Sequence, residues 1–583
     1  MKNRTWFYTL IIIIFVLTLN IGCNKNDKNT LEISNQVSYP IDSTVLTTLE
    51  RTVIPVPVPS VSPALLPTEI SKYSEYGYGI WKFGSGLGYE KRLDLMPPAY
   101  INTSVTNTAR LLNFFAMTDI HITDKESPTQ AIYFGYKGGI ISAYSGIMLY
   151  TTHFLDAVVQ TINAMNKKKS FDFGISLGDN CNNAQYNEIR WFIDVLDGKN
   201  IDPGSGVKED PIPGPNNDYQ DEYKAAGLDK TIPWYQALGN HDHFWMGIKP
   251  PDDYIRQTYI GENILNIGSI FNDTLGIKSR GFYMGVFDCK TLYGDVIGAG
   301  PVKDFATPPK IAADSNRRSL LRGEWLSEFF NTSSSPKGHG FSEADAKRGF
   351  ACYSFEPKLD LPVKVIVLDD TQRDDDPDVD IYWHSSFDKE RYDWLVKELD
   401  KGQSEGKLMI IAAHVPIGIN DPNPELGMSK FSVVTEKDLI AKLHTYPNLI
   451  LWVAGHRHLN TVTALKSPDS NRPELGFWEV ETSSLREFSQ QFRIFEILRN
   501  SDNTISILTT DVDPAVKEGS FAELSRSYAI AAYQIFKIQM PLLPTGSVSY
   551  NAELVKQLSP EMQSKIQKFG TPQHLTNNPV FSK

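Results

Sequence analysis

Residues 449–458 read Leu-Ile-Leu-Trp-Val-Ala-Gly-His-Arg-His. A short apolar run bounded by a turn residue reads as a strand buried on both faces. Two residues spaced i, i+2 at its end project to the same side. The same pattern recurs upstream. Leu111 to Thr118 ends in Asp119-Ile120-His121, and Phe171 to Leu177 ends in Gly178-Asp179-Asn180. Ile232 to Leu238 ends in Gly239-Asn240-His241-Asp242, and Leu408 to Ala413 ends in His414. Val363 to Leu368 ends in Asp369-Asp370, for which the sequence suggests no ligand role. Between the runs, His153 to Met165 and Phe387 to Leu399 carry apolar residues at helical spacing. Strands alternating with helices predict an α/β core.

In open α/β sheets, ligands bind beyond the carboxyl ends of the strands. The chain holds 11 histidines, and His121, His241, His414, His456 and His458 all fall at such ends. Mixed carboxylate and imidazole donors suit Zn, Mn or Fe rather than Ca, which prefers an all-oxygen shell. Asn240 adds a neutral oxygen, and Asp179 is placed to bridge two cations.

The ordered set DxH, GDN, GNHD, H and GHxH resembles the calcineurin-like metallophosphoesterase superfamily over roughly residues 111–500. It is closest to the cyclic-nucleotide-phosphodiesterase-like branch. The resemblance implies a four-layer α/β sandwich of two mixed sheets flanked by helices. It implies two divalent transition-metal ions (Mn, Fe or Zn), one on Asp119, His121, Asp179 and His458, the other on Asp179, Asn240, His414 and His456. His241 is then the acid at the leaving oxygen or a group that stabilises the phosphoryl, and a hydroxide between the ions attacks a phosphate monoester or diester. Asp242, next to it, is a candidate to orient His241. Two departures matter. Asn182 stands where purple acid phosphatases have a Tyr ligand. Asn182 and Asn183 stand where protein phosphatases have the Asp that orients the catalytic His. His243, just past the motif, is a candidate substrate contact. The alternative function is a catalytically inactive surface-binding protein on the same scaffold.

The rest of the chain sets boundaries. It has 583 residues, 41% hydrophobic and 22% charged, with net charge -12. No basic footprint of nucleic-acid binding is visible. Lys2 and Arg4 precede an apolar run, Trp6 to Leu19, shorter than the roughly 20 residues that span a bilayer. The run leads into Leu19-Asn20-Ile21-Gly22-Cys23, which resembles a bacterial lipobox. Residues 1–23 are therefore expected to direct export, with Cys23 lipidated and the protein anchored on the periplasmic side, the outer membrane favoured. Residues 24–110 read as a tether and Pro-rich arm, 111–515 as the catalytic domain, and 516–583 as a helical extension in which Ala552 to Phe569 looks like a polar amphipathic helix. Insertions at 198–230 and 245–350 are expected to shape the rim of a site. His153, His339, His384, Arg457, Cys181 and the acidic run Asp374 to Asp380 read as structural or solvated.

Overall fold

Each of the six apolar runs becomes a strand, and the strands belong to two sheets. A computed structural model describes residues 45–101, 103–138, 143–206, 220–268, 280–288, 293–376, 382–418, 427–539 and 551–572. The export segment with Cys23, and Asp378 and Asp380 of the acidic run, lie outside the described residues.

The first sheet has the strand order Glu90–Arg92, Asn551–Lys556, Ile505–Val512, Phe492–Asn500, Asn107–Met117, Phe173–Ser176 and Trp234–Gln236. Its last three strands run parallel, and Phe492–Asn500 pairs antiparallel with Asn107–Met117. The second sheet has the order Tyr353–Phe355, Val363–Val367, Leu408–Ala412, Leu449–Ala454, Phe477–Glu481 and Thr461–Leu465. Its four central strands are parallel and its two edge strands antiparallel. Both sheets are thus mixed.

The sheets face one another across one apolar core. Phe114, Ile175, Phe495 and Leu554 meet Val365, Ile410, Leu451 and Val480 there. Phe114 stacks between Phe173 and Phe495, with ring centroids 4.7 and 4.9 Å away. Helices Thr151–Lys168 and Tyr186–Asp197 cover the outer face of the first sheet through Phe154, Val158 and Phe192. Helices Lys389–Ser404 and Glu436–Leu443 cover the second through Leu395, Leu399, Leu439 and Leu443. Side chains alternate along each strand, so both faces of a central strand need an apolar cover, and the four-layer sandwich supplies it.

The tail differs from the sequence reading. Asn551–Lys556 is a strand of the first sheet, and a helix occupies only Pro560–Ile566. Leu554, Leu558, Met562 and Ile566 all enter the inter-sheet core, and their spacing of four mimics one helix face. The edge of Ile505–Val512 captures the first half as a strand, and Pro560 starts the helix at a position that needs no N–H. Glu90–Arg92 pairs with that same tail strand, so the sheet recruits chain from both sides of residues 111–515. Helix Phe521–Gln539 packs through Tyr528, Ala529 and Ile535 on Ile70, Tyr73 and Tyr78 of the N-terminal arm. Among the described residues, no helix is long and apolar enough to cross a membrane.

Candidate metal centre

The loops after Asn107–Met117, Phe173–Ser176 and Trp234–Gln236 bring Asp119, Asp179 and Asn240 from the first sheet. The loops after Leu408–Ala412 and Leu449–Ala454 bring His414, His456 and His458 from the second. They meet at one edge of the sandwich. His458 Nε2 is 3.3 Å from Asp119 Oδ1 and 3.3 Å from His121 Nε2. His121 Nε2 is 3.8 Å from Asp179 Oδ2. On the other side of Asp179, His414 Nε2 is 3.3 Å from the same Oδ2, 3.0 Å from Asn240 Oδ1 and 3.2 Å from His456 Nδ1. All seven expected ligands therefore converge, with Asp179 in the middle.

The backbone is bent to achieve this. Asp119, His121, Asp179, His456 and His458 have φ of 50°, 49°, 53°, 76° and 60°. Non-glycine residues seldom adopt this left-handed region, and each costs about 1–3 kcal/mol unless its surroundings hold it there. The glycines in the motifs are demanded by crowding. A Cβ on Gly239 would sit 2.2 Å from Asp179 Oδ1, and one on Gly455 would sit 2.0 Å from Thr118 Oγ1.

The donor set fits divalent cations. Ligands bonded to one such ion at about 2.0–2.2 Å lie within about 4.4 Å of each other. Donor atoms of three groups, Asp119–His121–His458, His121–Asp179–His241 and Asp179–His414–His456, lie within 4.8 Å of one another. Asp119 Oδ1 is buried and, among the described residues, accepts no hydrogen bond. Its other oxygen is taken by Thr118 Oγ1 at 2.7 Å and the His456 N–H at 2.9 Å. A buried carboxylate oxygen that meets the His458 and His121 rings at 3.3 and 4.0 Å but accepts no hydrogen bond is costly, and positive charge answers it. The imidazoles respond to the same need. Burial disfavours charge on His414, yet Asp179 beside it lifts its ring to about 10. Burial and then the His414 charge push His456 down to about 3.

The outer contacts fix ligand orientation. His414 Nδ1 donates to Leu177 O at 2.9 Å, leaving Nε2 for the site. Asp370, at the end of the strand without a predicted role, accepts the His414 and Val415 N–H groups. Asn240 Nδ2 donates to Gly247 O at 2.8 Å, which turns Oδ1 inward. His458 Nδ1 lies 2.7 Å from Glu487 Oε2. Glu487 and Gly247 follow no motif in the sequence.

His241 stands edge-on to His121, ring centroids 4.5 Å apart. Its Nδ1 donates to the backbone carbonyl of Asn182 at 2.6 Å. Here the structure corrects two expectations. Asp242 does not orient His241. Its buried carboxylate instead accepts the N–H groups of Asp179 and Gly239 on one oxygen and of Asn180 and Cys181 on the other, at 2.9–3.1 Å. His243 does not face the site. It is buried, with Nε2 3.1 Å from Thr371 Oγ1 and Nδ1 3.2 Å from Asp374 Oδ1. That places it against the Asp369 cluster, in which Arg322 and Arg391 pair with the buried Asp369.

The other residues weighed in the sequence fall outside the centre. Arg457 turns away to Glu481, Nη2 to Oε2 2.6 Å. His339 stacks on Trp234 at 3.4 Å. Cys181 is a buried free thiol. His153 stacks on Tyr223, and His384 Nδ1 lies 3.1 Å from Gly427 O.

No family model matches the chain, and no curated protein matches it. Solved structures similar to it include the crystal structure of a dimetal phosphatase from Danio rerio, at a TM-score of 0.36 and 10% identity, covering 70% of this chain and 97% of that one.

Proposed function

We propose that this chain is a metal-dependent phosphoric ester hydrolase with a dinuclear centre, Asp179 being shared between the two ions. The observation that carries this reading is the convergence of two carboxylates, one amide oxygen and four imidazoles from two sheets on one edge of the sandwich, most of them in strained backbone. Asp119, His121, Asp179 and His458 would hold one ion, and Asp179, Asn240, His414 and His456 the other. Bound there, divalent cations supply Lewis acidity toward phosphate oxygens and an activated water nucleophile.

The chain's own groups do the remainder. Asp179 Oδ1 accepts the backbone N–H of His241 at 2.8 Å, so the ligand is tied to the main chain that carries the proposed acid. The Asn182 carbonyl keeps a proton on His241 Nδ1. His241 Nε2 is then the atom that carries or gives a proton at the leaving oxygen, an assistance worth about 100- to 10,000-fold.

The purified chain, loaded with Mn²⁺, should hydrolyse an aryl phosphomonoester, an aryl phosphodiester or both, and elemental analysis should find two transition-metal ions per chain. A folded, metal-loaded sample that leaves both esters intact would favour the surface-binding alternative. The ratio of the two rates decides between monoester and diester preference.

Gly247 offers a subtler test. Its φ is +69°, and a Cβ there would lie 2.1 Å from His241 Cδ2 and 2.5 Å from Asn240 Nδ2. Gly247→Ala should cost about 1–2 kcal/mol of stability from the left-handed backbone alone. Displacing His241 by an ångström should lower turnover on the order of a hundredfold. Urea midpoints and kcat on the aryl ester check the two effects separately. Unchanged kcat would remove His241 from the mechanism or Gly247 from its support.

A further inference from the structure

One short loop, Ser484 to Glu487, touches the Asp119–His458 side of the proposed centre and the Asn182 segment that holds His241. Glu487 Oε2 lies 2.7 Å from His458 Nδ1. The same oxygen is 2.9 Å from Ser484 Oγ, which also lies 2.8 Å from the backbone carbonyl of Asp119. Next to it, Arg486 is fully buried and donates through Nη1 to Asn182 Oδ1. Asn182 is the residue whose backbone carbonyl holds His241 Nδ1 at 2.6 Å. The Asn182 amide is fixed at its other end by Nδ2 donating to Gln130 Oε1 at 2.7 Å. Leu485 N–H donates to Thr118 O, which ties the loop to the strand end that carries Asp119.

We propose that Glu487 and Arg486 are positioning residues with divided tasks, Glu487 setting the orientation and tautomer of the ligand His458, and Arg486 locking the Asn182 segment that holds His241. This rests on the metal-dependent reading above. A histidine ligand presents one nitrogen and in most sites donates the other N–H to an outer acceptor, and losing that acceptor weakens metal affinity by about 10- to 100-fold. Glu487 is that acceptor for His458, whose Nε2 then faces Asp119 and His121. Among the described residues no carboxylate accepts from the His241 Nδ1, and Asp242 is engaged with backbone N–H groups instead. Its orientation depends on a peptide carbonyl, and a carbonyl is only as fixed as the residue that bears it. Arg486 supplies that fixation from beneath, with a hydrogen bond to a charged donor, the stronger kind.

The division predicts opposite signatures. In the full chain, Mn²⁺ binding is titrated by the loss of the free-ion spin resonance signal, alongside kcat on an aryl phosphate at saturating Mn²⁺. Glu487→Ala should weaken Mn²⁺ binding by about 10- to 100-fold. Glu487→Gln, which keeps an acceptor oxygen for Nδ1, should recover part of the loss. Both should regain most of kcat once saturated. Arg486→Lys should leave Mn²⁺ affinity unchanged and lower kcat by about 10- to 100-fold, as a shifted proton donor does. Far-UV circular dichroism reports folding for each variant. If an Arg486 variant does not fold, the Glu487 pair still decides, since glutamine conserves volume at a partly exposed site. Wild-type affinity for Mn²⁺ in Glu487→Ala overturns the proposal. So does an Arg486→Lys chain that loses Mn²⁺ as readily as Glu487→Ala does. A wild-type chain that binds no Mn²⁺ overturns the dinuclear reading itself and is told apart from both by the first titration.

Discussion

Asp179→Ala is expected to abolish Mn²⁺ retention and to lower phosphoesterase turnover by at least about a thousandfold, the several kcal/mol that metal ions supply to a developing phosphoryl charge. The size of the effect follows from the position of Asp179. Its Oδ2 is 3.3 Å from His414 Nε2 and 3.8 Å from His121 Nε2, one ligand from each proposed ion. Its Oδ1 accepts the backbone N–H of His241. No other side chain of the centre touches both halves and the proposed acid. Removing any terminal ligand leaves three donors for its ion, but removing Asp179 leaves both shells short. Four imidazoles would then face a site with one carboxylate, Asp119, and the lost negative charge would leave the cations less attracted. A second readout avoids activity altogether. A ligand that binds only the folded state stabilises it by about 2.7 kcal/mol at a hundred times its Kd. Wild type should therefore gain thermal stability on adding Mn²⁺, and Asp179→Ala should gain none. An Asp179→Ala chain that shows the wild-type rise would remove the bridge from the centre.

The parts of this site that were legible in the sequence are those in which strand order and ligand chemistry coincide. Apolar runs that stop at Asp, Asn or His located the strand ends, and the two sheets then folded those ends onto one edge. What sequence could not carry was anything done by backbone groups or by residues without a fixed offset. The orienting partner of His241 is the carbonyl of Asn182, and every residue has a carbonyl. Glu487 reaches His458 from a loop after the next strand but one, a relation visible only in three dimensions. His243 looked like a substrate contact by adjacency, but the turn after Asn240 rotates it into the Thr371–Asp374 side of the loop. The tail reads as one helix in sequence because Leu554, Leu558, Met562 and Ile566 repeat every four residues, but the segment is half strand. Pro560, which cannot sit in a helix interior, was the available signal for the break.

Asp242→Ala is expected to destabilise the fold by at least about 4 kcal/mol, a large part of the 5–15 kcal/mol by which a typical domain is stable. The motif position invites a catalytic role, but the geometry gives a different one. Both carboxylate oxygens are filled by backbone N–H groups, two each, from the loop of Asp179 and the loop of Gly239. Burial and the neighbouring Asp179 charge push the carboxyl up to about 8, against the pull of the N–H donors, but four N–H groups aimed at its two oxygens fit the ionised form, which keeps every lone pair free to accept. The residue is a clamp between the two strand ends that carry Asp179 and Asn240. Alanine leaves four buried N–H groups without an acceptor, at about 1–3 kcal/mol each before relaxation and entering water reduce the sum. Asp242→Asn is no rescue, since its amide NH₂ would face two N–H donors. It should cost on the order of 2–3 kcal/mol, one lost charge-assisted acceptor with a donor–donor conflict in its place. The urea midpoint measured in the presence of a chelator isolates this from metal stabilisation. The orienting role makes the opposite forecast: Asp242→Asn would unfold with wild type and lose only turnover. A normal midpoint with collapsed kcat would return Asp242 to the catalytic machinery, while a collapsed midpoint fixes its task as holding the two ligand loops at the distance where one aspartate can serve both ions.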